Sequence, residues 1–313
     1  MDKDKISSLS AFFNLVEKGG GDSDVNGLEG FSGKKIISSL RGLTKIFCGN
    51  SNVYLEIGVY RGLTLLANAH KNESIPCFGI DNFSLFDTEG ENRSIIKKHI
   101  VRLSISNAHV IDADYEEALD AFEDHVGEKK VGVFFVDGAH DYRSQLVPLL
   151  RIVPYLSNDA VIIVDDANYP HVRQATNDFL KTHTDFALFL EAYTKKHPAN
   201  MTDTEKNEAL EGWWNGINIM VKDPLKLVPR NFVKEQNKDL YFASHNIFRH
   251  RLAGIAFDIL KFADGLSDSD ADEDVVVQKL RTYINNYKQK NTQLFLHQNT
   301  YSDELPNFKL YNF

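Results

Sequence analysis

The stretch Asn52–Gly62, NVYLEIGVYRG, constrains this chain more than any other. Val53 to Ile57 is a short apolar run holding one acid, Glu56. It breaks into Gly58 and, four residues on, Gly62, ahead of a helical segment over Leu63 to His70. A run of this length bounded by glycines reads as a buried strand. Glycine permits a tight turn and a close approach of backbone, and the helix behind offers free amides at its first turn. Strand, glycine turn and helix in that order open a parallel α/β sheet rather than a sandwich or a bundle.

Three further runs fit the same scheme. Pro76-Cys-Phe-Gly-Ile-Asp81, Val131-Gly-Val-Phe-Phe-Val-Asp137 and Ala160-Val-Ile-Ile-Val-Asp165-Asp166 each end in an acid. Helix-length segments separate them. In open α/β sheets ligands sit beyond the carboxyl ends of the strands, so these acids should converge on one crevice. Strand-like runs at 53–57, 76–81, 107–111, 131–137 and 160–165 alternate with helical segments near 62–70, 91–103, 115–125, 141–156 and 169–183. Phe186–Ala192 and Gly216–Val221 read as two last strands around an insertion at 193–215. The expected fold is α/β: a Rossmann-like, seven-stranded, mostly parallel sheet with helices on both faces.

The chain is 313 residues long, enough for a full core plus appendages. Three regions are expected: an N-terminal helical segment with a Gly-rich loop over 1–50, a central domain over 51–222, and a C-terminal helical extension over 223–313. The loop, residues 19–33 (GGGDSDVNGLEGFSG), reads equally as a lid or a loose linker. A formal net charge of −9 argues against nucleic acid, which needs a basic face. No run reaches membrane-spanning length, and the N-terminus lacks the apolar stretch of a signal peptide. Cys48 and Cys77 sit beside apolar residues and read as buried free thiols, so a cytoplasmic location is expected.

The spacing E-x-G-x-x-x-G from Glu56 to Gly62, with Asp81 about twenty residues beyond, resembles the first motifs of class I S-adenosylmethionine-dependent methyltransferases. The V-D-G-x-H-x-Y wording at Val136–Tyr142 is similar to a bacterial metal-dependent O-methyltransferase group associated with sugar and antibiotic biosynthesis. The resemblance covers roughly residues 50–222. It implies S-adenosylmethionine as cofactor, with Gly58, Tyr60 and Gly62 in the turn under its methionine part and Glu56 near its amino end. It implies Asp81 at the ribose and Asp114 near the adenine, with Asp112 the rival to Asp114. The residues alone allow a plainer role for each acid, as a helix cap or turn former.

Asp137 and Asp165 close adjacent central strands, and several carboxylates in one crevice repel unless protonated or bridged by a cation. A divalent ion such as Mg²⁺ with oxygen ligands resolves this, and the resemblance implies Asp137, Asp165 and Asp166 as its ligands. Asp165 and Asp166 can both serve only if the strand ends between them, because neighbours on a strand point opposite ways. His140 and Asp137 are the residues expected at the reacting hydroxyl. His140 is either the base or a group that orients Asp137. Tyr169 and His171 could reach substrate, and Trp213-Trp214 could pack the hairpin or form a stacking surface.

The expected reaction is methyl transfer to a hydroxyl of a small molecule or sugar. A nicotinamide-dependent oxidoreductase is the enzyme rival, weakened by the missing second glycine of G-x-G-x-x-G. A silent methyltransferase-like binding module is the rival from another class. After Pro224, helices are expected at 244–264 and 274–291, each with an apolar stripe. Those stripes suggest a homo-oligomer joined through the C-terminal helices, with a cap over the crevice as the alternative.

Overall fold

The computed structural model describes residues 1–49, 51–87, 89–235, 260, 262–264, 273–296 and 305–312. Two helices, α1 (Lys3–Glu17) and α2 (Lys34–Phe47), precede the sheet. The sheet then builds through β1 (Asn52–Ile57), α3 (Leu63–Lys71), β2 (Cys77–Ile80), α4 (Asn92–Leu103) and β3 (Ala108–Ile111). Next come α5 (Tyr115–Asp120), α6 (Phe122–Val126), β4 (Lys130–Val136), α7 (Tyr142–Ile152), β5 (Leu156–Asp165) and α8 (Pro170–Thr182). An antiparallel pair, β6 (Phe186–Ala192) and β7 (Ile217–Lys222), encloses α9 (Asp203–Glu211).

The strand order is β3-β2-β1-β4-β5-β7-β6-β8. The first five strands pair in parallel, and β7 runs antiparallel to both β5 and β6. The sheet has eight strands where the sequence pattern gives seven. The addition is β8 (Lys309–Leu310), a two-residue strand antiparallel to β6 at the edge. The central strands are buried along nearly their whole length on both faces, as a parallel sheet covered by helices on each side requires.

Chain order reverses between β1 and β4, which lie side by side. Such a switch point leaves a crevice at the carboxyl ends of the strands. Register decides what stands there. Ile57 pairs with Ile80 on one side and with Val136 on the other, and Val136 pairs with Val164. The next residue along each strand is therefore Gly58, Asp81, Asp137 and Asp165, side by side on one rung. The acids that close the apolar runs converge because the strands end in register.

Helix boundaries follow the expected spans closely. The 115–125 segment divides at Ala121 into α5 and α6, and β5 starts at Leu156 rather than 160. The helix expected at 274–291 is Glu273–Leu296. The one expected at 244–264 lies almost wholly outside the described residues. Cys48 and Cys77 are both buried and unpaired with each other.

Candidate active site

Gly58 stands at φ +94°, and a Cβ on it would sit 1.8 Å from the carbonyl oxygen of Asp137. Only glycine lets the end of β1 lie this close to the end of β4. Gly62, at φ +87°, caps α3. Between them Tyr60 also takes a left-handed backbone, at φ +50°. Asp81 braces this turn: its Oδ2 accepts from the amides of Val59 and Tyr60, each at 2.9 Å, and its Oδ1 accepts from Phe83 N at 2.7 Å. Three of the four lone-pair sites are thus used; Oδ1 keeps one, and the residue is half-buried, so the group can still accept from a ligand hydroxyl.

Glu56 lies beneath the turn with no exposure at all. Tyr54 Oη donates to it at 2.6 Å and Thr64 Oγ1 at 3.1 Å. Burial pushes its carboxyl up to about 8, the two hydroxyl donors working against that and the Asp81 charge adding to it. It forms the floor of the turn rather than a wall of the open crevice. Asp114 caps α5, its Oδ1 accepting from Glu116 N at 2.8 Å. Its rival Asp112 is held by Arg93, with Nη2 to Oδ1 at 2.6 Å. Asp114 thus plays the plainer role of a helix cap, while Asp112 is an ion-pair partner of Arg93.

At the ends of β4 and β5 one ligand atom each from Asp137, His140 and Asp166 lie within 4.8 Å of one another. Among the described residues this is the single such group of three. The expected trio had Asp165 in the place of His140. The difference comes from the backbone: the strand ends at Asp165, and Asp166 turns to φ +55°. That turn carries its carboxylate to His140 Nε2 at 2.6 Å, while Asn215 Nδ2 donates to its other oxygen at 2.5 Å. Asp165 stays in the interior, 1% exposed, with its Oδ1 buried and without a hydrogen-bond partner.

The charges divide accordingly. Burial, then the carboxylates of Asp165 and Asp166, hold Asp137 well above the usual carboxylate range. Burial and the Asp166 charge do the same to Asp165. Burial alone would raise Asp166, but His140 beside it outweighs this and the carboxyl ends below its ordinary range. Burial likewise works against a charged His140, and Asp166 overrides it upward. His140 thus sits paired with Asp166, which holds its proton more firmly than burial alone would allow.

Arg173 and Thr194, to which the motifs do not point, help to build the site. Arg173, 5% exposed, donates to the carbonyls of Ala167 at 3.0 Å and Asn168 at 2.6 Å. Asn168 is tied in turn to Thr194. These bonds fix the loop that presents Asp165 and Asp166. Tyr169 stacks on His140 with ring centroids 4.7 Å apart and meets His197 Nε2 at 2.7 Å. His171 is buried in α8. The tryptophan pair divides: Trp213 packs inward and donates to Glu17 at 2.8 Å, while Trp214 stacks on Phe31.

Residues 55–167 match the family described as a methyltransferase domain, a span that runs from β1 through the whole acidic cluster. The chain resembles class I S-adenosylmethionine-dependent methyltransferases. No curated protein sequence matches it at a significant level. Among solved structures, an O-methyltransferase from Bacillus cereus in complex with SAH aligns at 12% identity, covering 71% of this chain and 92% of that one, with a TM-score of 0.46. TomG from Streptomyces achromogenes, an O-methyltransferase involved in tomaymycin synthesis and solved with SAM, aligns at 15% identity over 71% and 91%, with a TM-score of 0.44. The TDP-rhamnose 3'-O-methyltransferase CalS11 aligns at 16% identity over 57% and 87%, with a TM-score of 0.40.

Proposed function

We propose that this protein is an S-adenosylmethionine-dependent O-methyltransferase acting on a small-molecule hydroxyl with help from a divalent cation. One observation carries the reading: the glycine turn, Asp81 and Asp137 share one rung of strand ends, and the Asp137–His140–Asp166 cluster is built on that rung, within a span that matches a methyltransferase domain. The same turn weighs against a dinucleotide. A pyrophosphate would need free turn amides, and those of Val59 and Tyr60 already point at the Asp81 carboxylate.

The residues present fit both groups. For the cofactor, Gly58 leaves no Cβ in the cleft between β1 and β4, and Asp81 keeps acceptor capacity beside the turn. For the ion, two carboxylates and an imidazole gather with a third, unpartnered carboxylate oxygen buried behind them. Asp137 and Asp166 would hold a divalent cation, with Asp165 tuning the charge from behind and His140 left beside it for the proton. Such an ion would polarise an acceptor hydroxyl and lower its pKa, and the bound sulfonium would supply the methyl group.

The chain's own residues do the rest. Asp81 and the glycine turn orient the donor, and the cluster orients the acceptor, so most of the rate gain is positional. Deprotonation falls to His140 once its pairing with Asp166 is relieved, with Asp137 beside it. Replacing His140 by Ala should then slow turnover by about 10²–10⁴-fold, the usual worth of a positioned base.

A melting comparison tests the reading. A ligand present at about 100 times its Kd adds about 2.7 kcal/mol of stability. S-adenosylhomocysteine should raise Tm and NAD should leave it unchanged. EDTA should abolish methyl transfer, and Mg²⁺ should restore it. A Tm shift with NAD alone would overturn the reading, and activity indifferent to EDTA would remove the metal from it.

A further inference from the structure

Four aromatic rings gather around the glycine turn in an arrangement that the methyl-transfer scheme does not use. Phe31, from the N-terminal Gly-rich segment, stacks on Tyr60 of the glycine turn, with centroids 5.4 Å apart and planes 20° apart. It also stacks on Trp214, at 6.5 Å and 18°. Phe86 meets Tyr60 edge-on at 6.3 Å. Phe31 is 59% exposed and Phe86 75%, although large apolar rings are normally withdrawn from water.

Three of the four rings are carried on strained backbone. Tyr60, Phe86 and Trp214 all have positive φ, at +50°, +56° and +50°. A bulky residue pays for that conformation, and it persists where the surrounding structure imposes it, most often at ligand sites. The N-terminal segment is seated just as firmly. A Cβ at Gly30 would lie 2.7 Å from Leu63, and one at Gly33 would lie 2.2 Å from the carbonyl oxygen of Gly212. Residues 30–33 therefore bridge from the first residue of α3 to the hairpin arm, and Phe31 is set between two tight backbone contacts.

The rings also join the two halves of the site. Tyr60 belongs to the turn that Asp81 braces. Trp214 precedes Asn215, whose amide holds Asp166. A flat molecule lying against Phe31 would span from the cofactor side of the crevice to the acidic cluster.

We infer that Phe31, Tyr60 and Trp214 form a platform that takes the acceptor by stacking, and that the acceptor is a planar aromatic compound bearing the hydroxyl to be methylated. This rests on the methyltransferase reading above. Phe31 itself shows which guest the platform suits, since it lies nearly parallel to both of its neighbours. A pyranose would need hydrogen-bonding groups at the rim. The guanidinium of Arg61 lies over the Tyr60 ring at 5.3 Å and is itself paired with Glu29 at 3.5 Å.

The test is calorimetric titration of the full-length protein with 2-naphthol, and separately with methyl α-D-glucopyranoside, both in S-adenosylhomocysteine and Mg²⁺. Wild type should bind naphthol saturably and the pyranoside not at all. Phe31→Ala should weaken naphthol binding about tenfold, the scale of one lost ring contact, and Phe31→Tyr should retain it. Phe31 is exposed, so its removal should leave Tm unchanged. Naphthol binding indifferent to Phe31→Ala overturns the platform, as does pyranoside binding in place of naphthol. The melting shift with S-adenosylhomocysteine is read on the same samples. If that shift is absent while naphthol still depends on Phe31, the methyltransferase reading fails and the platform stands.

Discussion

Glu56 is the residue whose surroundings make the sharpest demand on pH. Its carboxyl is pushed up to about 8 in the folded chain by burial, from an ordinary 4.5. A raised carboxyl binds its proton more tightly in the native state, so the stability it brings is complete below pH 4.5 and is lost as pH climbs toward 8. Glu56→Gln removes that loss. Chemical denaturation of wild type and variant at pH 5 and pH 8.5 should show the variant gaining, relative to wild type, a few kcal/mol at the higher pH. An unchanged difference between the two pH values would show Glu56 ionised in both states. Asp81→Ala should weaken S-adenosylhomocysteine binding by at least tenfold, since hydrogen bonds to a charged group are worth about 1.5–3 kcal/mol. Calorimetry reads that directly, and wild-type affinity would remove the ribose role. Asp81, Asp137 and Asp165 were legible in the sequence because each closes an apolar run. The partners of Asp166 were not. They depend on a left-handed turn at Asp166 itself and on Asn215, which is 49 residues away along the chain.

The strands were readable because their apolar runs are short, β-branched and bounded by acids or glycines. The 19–33 segment was not, since a run rich in Gly, Asp and Ser has the composition of a loose linker. The structure shows it tied down by one buried cation. Arg41, 5% exposed, donates through Nη1 to both the carbonyl and the carboxylate of Asp22, at 2.9 and 2.7 Å. Its Nη2 donates to Asp24 O at 2.5 Å and its Nε to Ala67 O at 2.8 Å. Nothing in the spacing of α2 tells that Arg41 faces inward while Lys45 on the same helix does not. Arg41→Leu releases Asp22 and Asp24 and leaves the buried Ala67 carbonyl without its donor, a loss worth about 1–3 kcal/mol on top of the lost ion pair. The expected result is a stability loss of a few kcal/mol with new protease cleavage between residues 19 and 33. Cleavage elsewhere, with 19–33 still protected, would show that the glycine contacts alone seat the segment.

On the scale of the whole molecule the C-terminal end returns to the sheet, a step no local pattern announces. β8 is two residues long, and Tyr311 Oη reaches the buried Glu191 at 2.6 Å. Pairing of that length carries no periodicity to read. It covers part of the exposed edge of β6, which would otherwise offer unpaired backbone to other chains. The helix Glu273–Leu296 lies between this strand and the core of the domain in sequence. Its apolar positions 275, 276, 280, 283, 284 and 287 recur at helical spacing, and Val275 is 43% exposed. We propose that this stripe joins two copies of the chain, because two helices alone make a poor independent core, even with the Tyr283 ring 5.7 Å from that of Phe262. A symmetric contact of that kind would place Val275 and Ile284 at its centre. Light scattering should then give twice the 35.5 kDa of one chain. The double replacement of Val275 and Ile284 by Glu should return the mass to that of one chain without lowering Tm, since the sheet and β8 stay intact. Wild type already running as a single chain would end the dimer reading and leave the helix as a cap over the crevice.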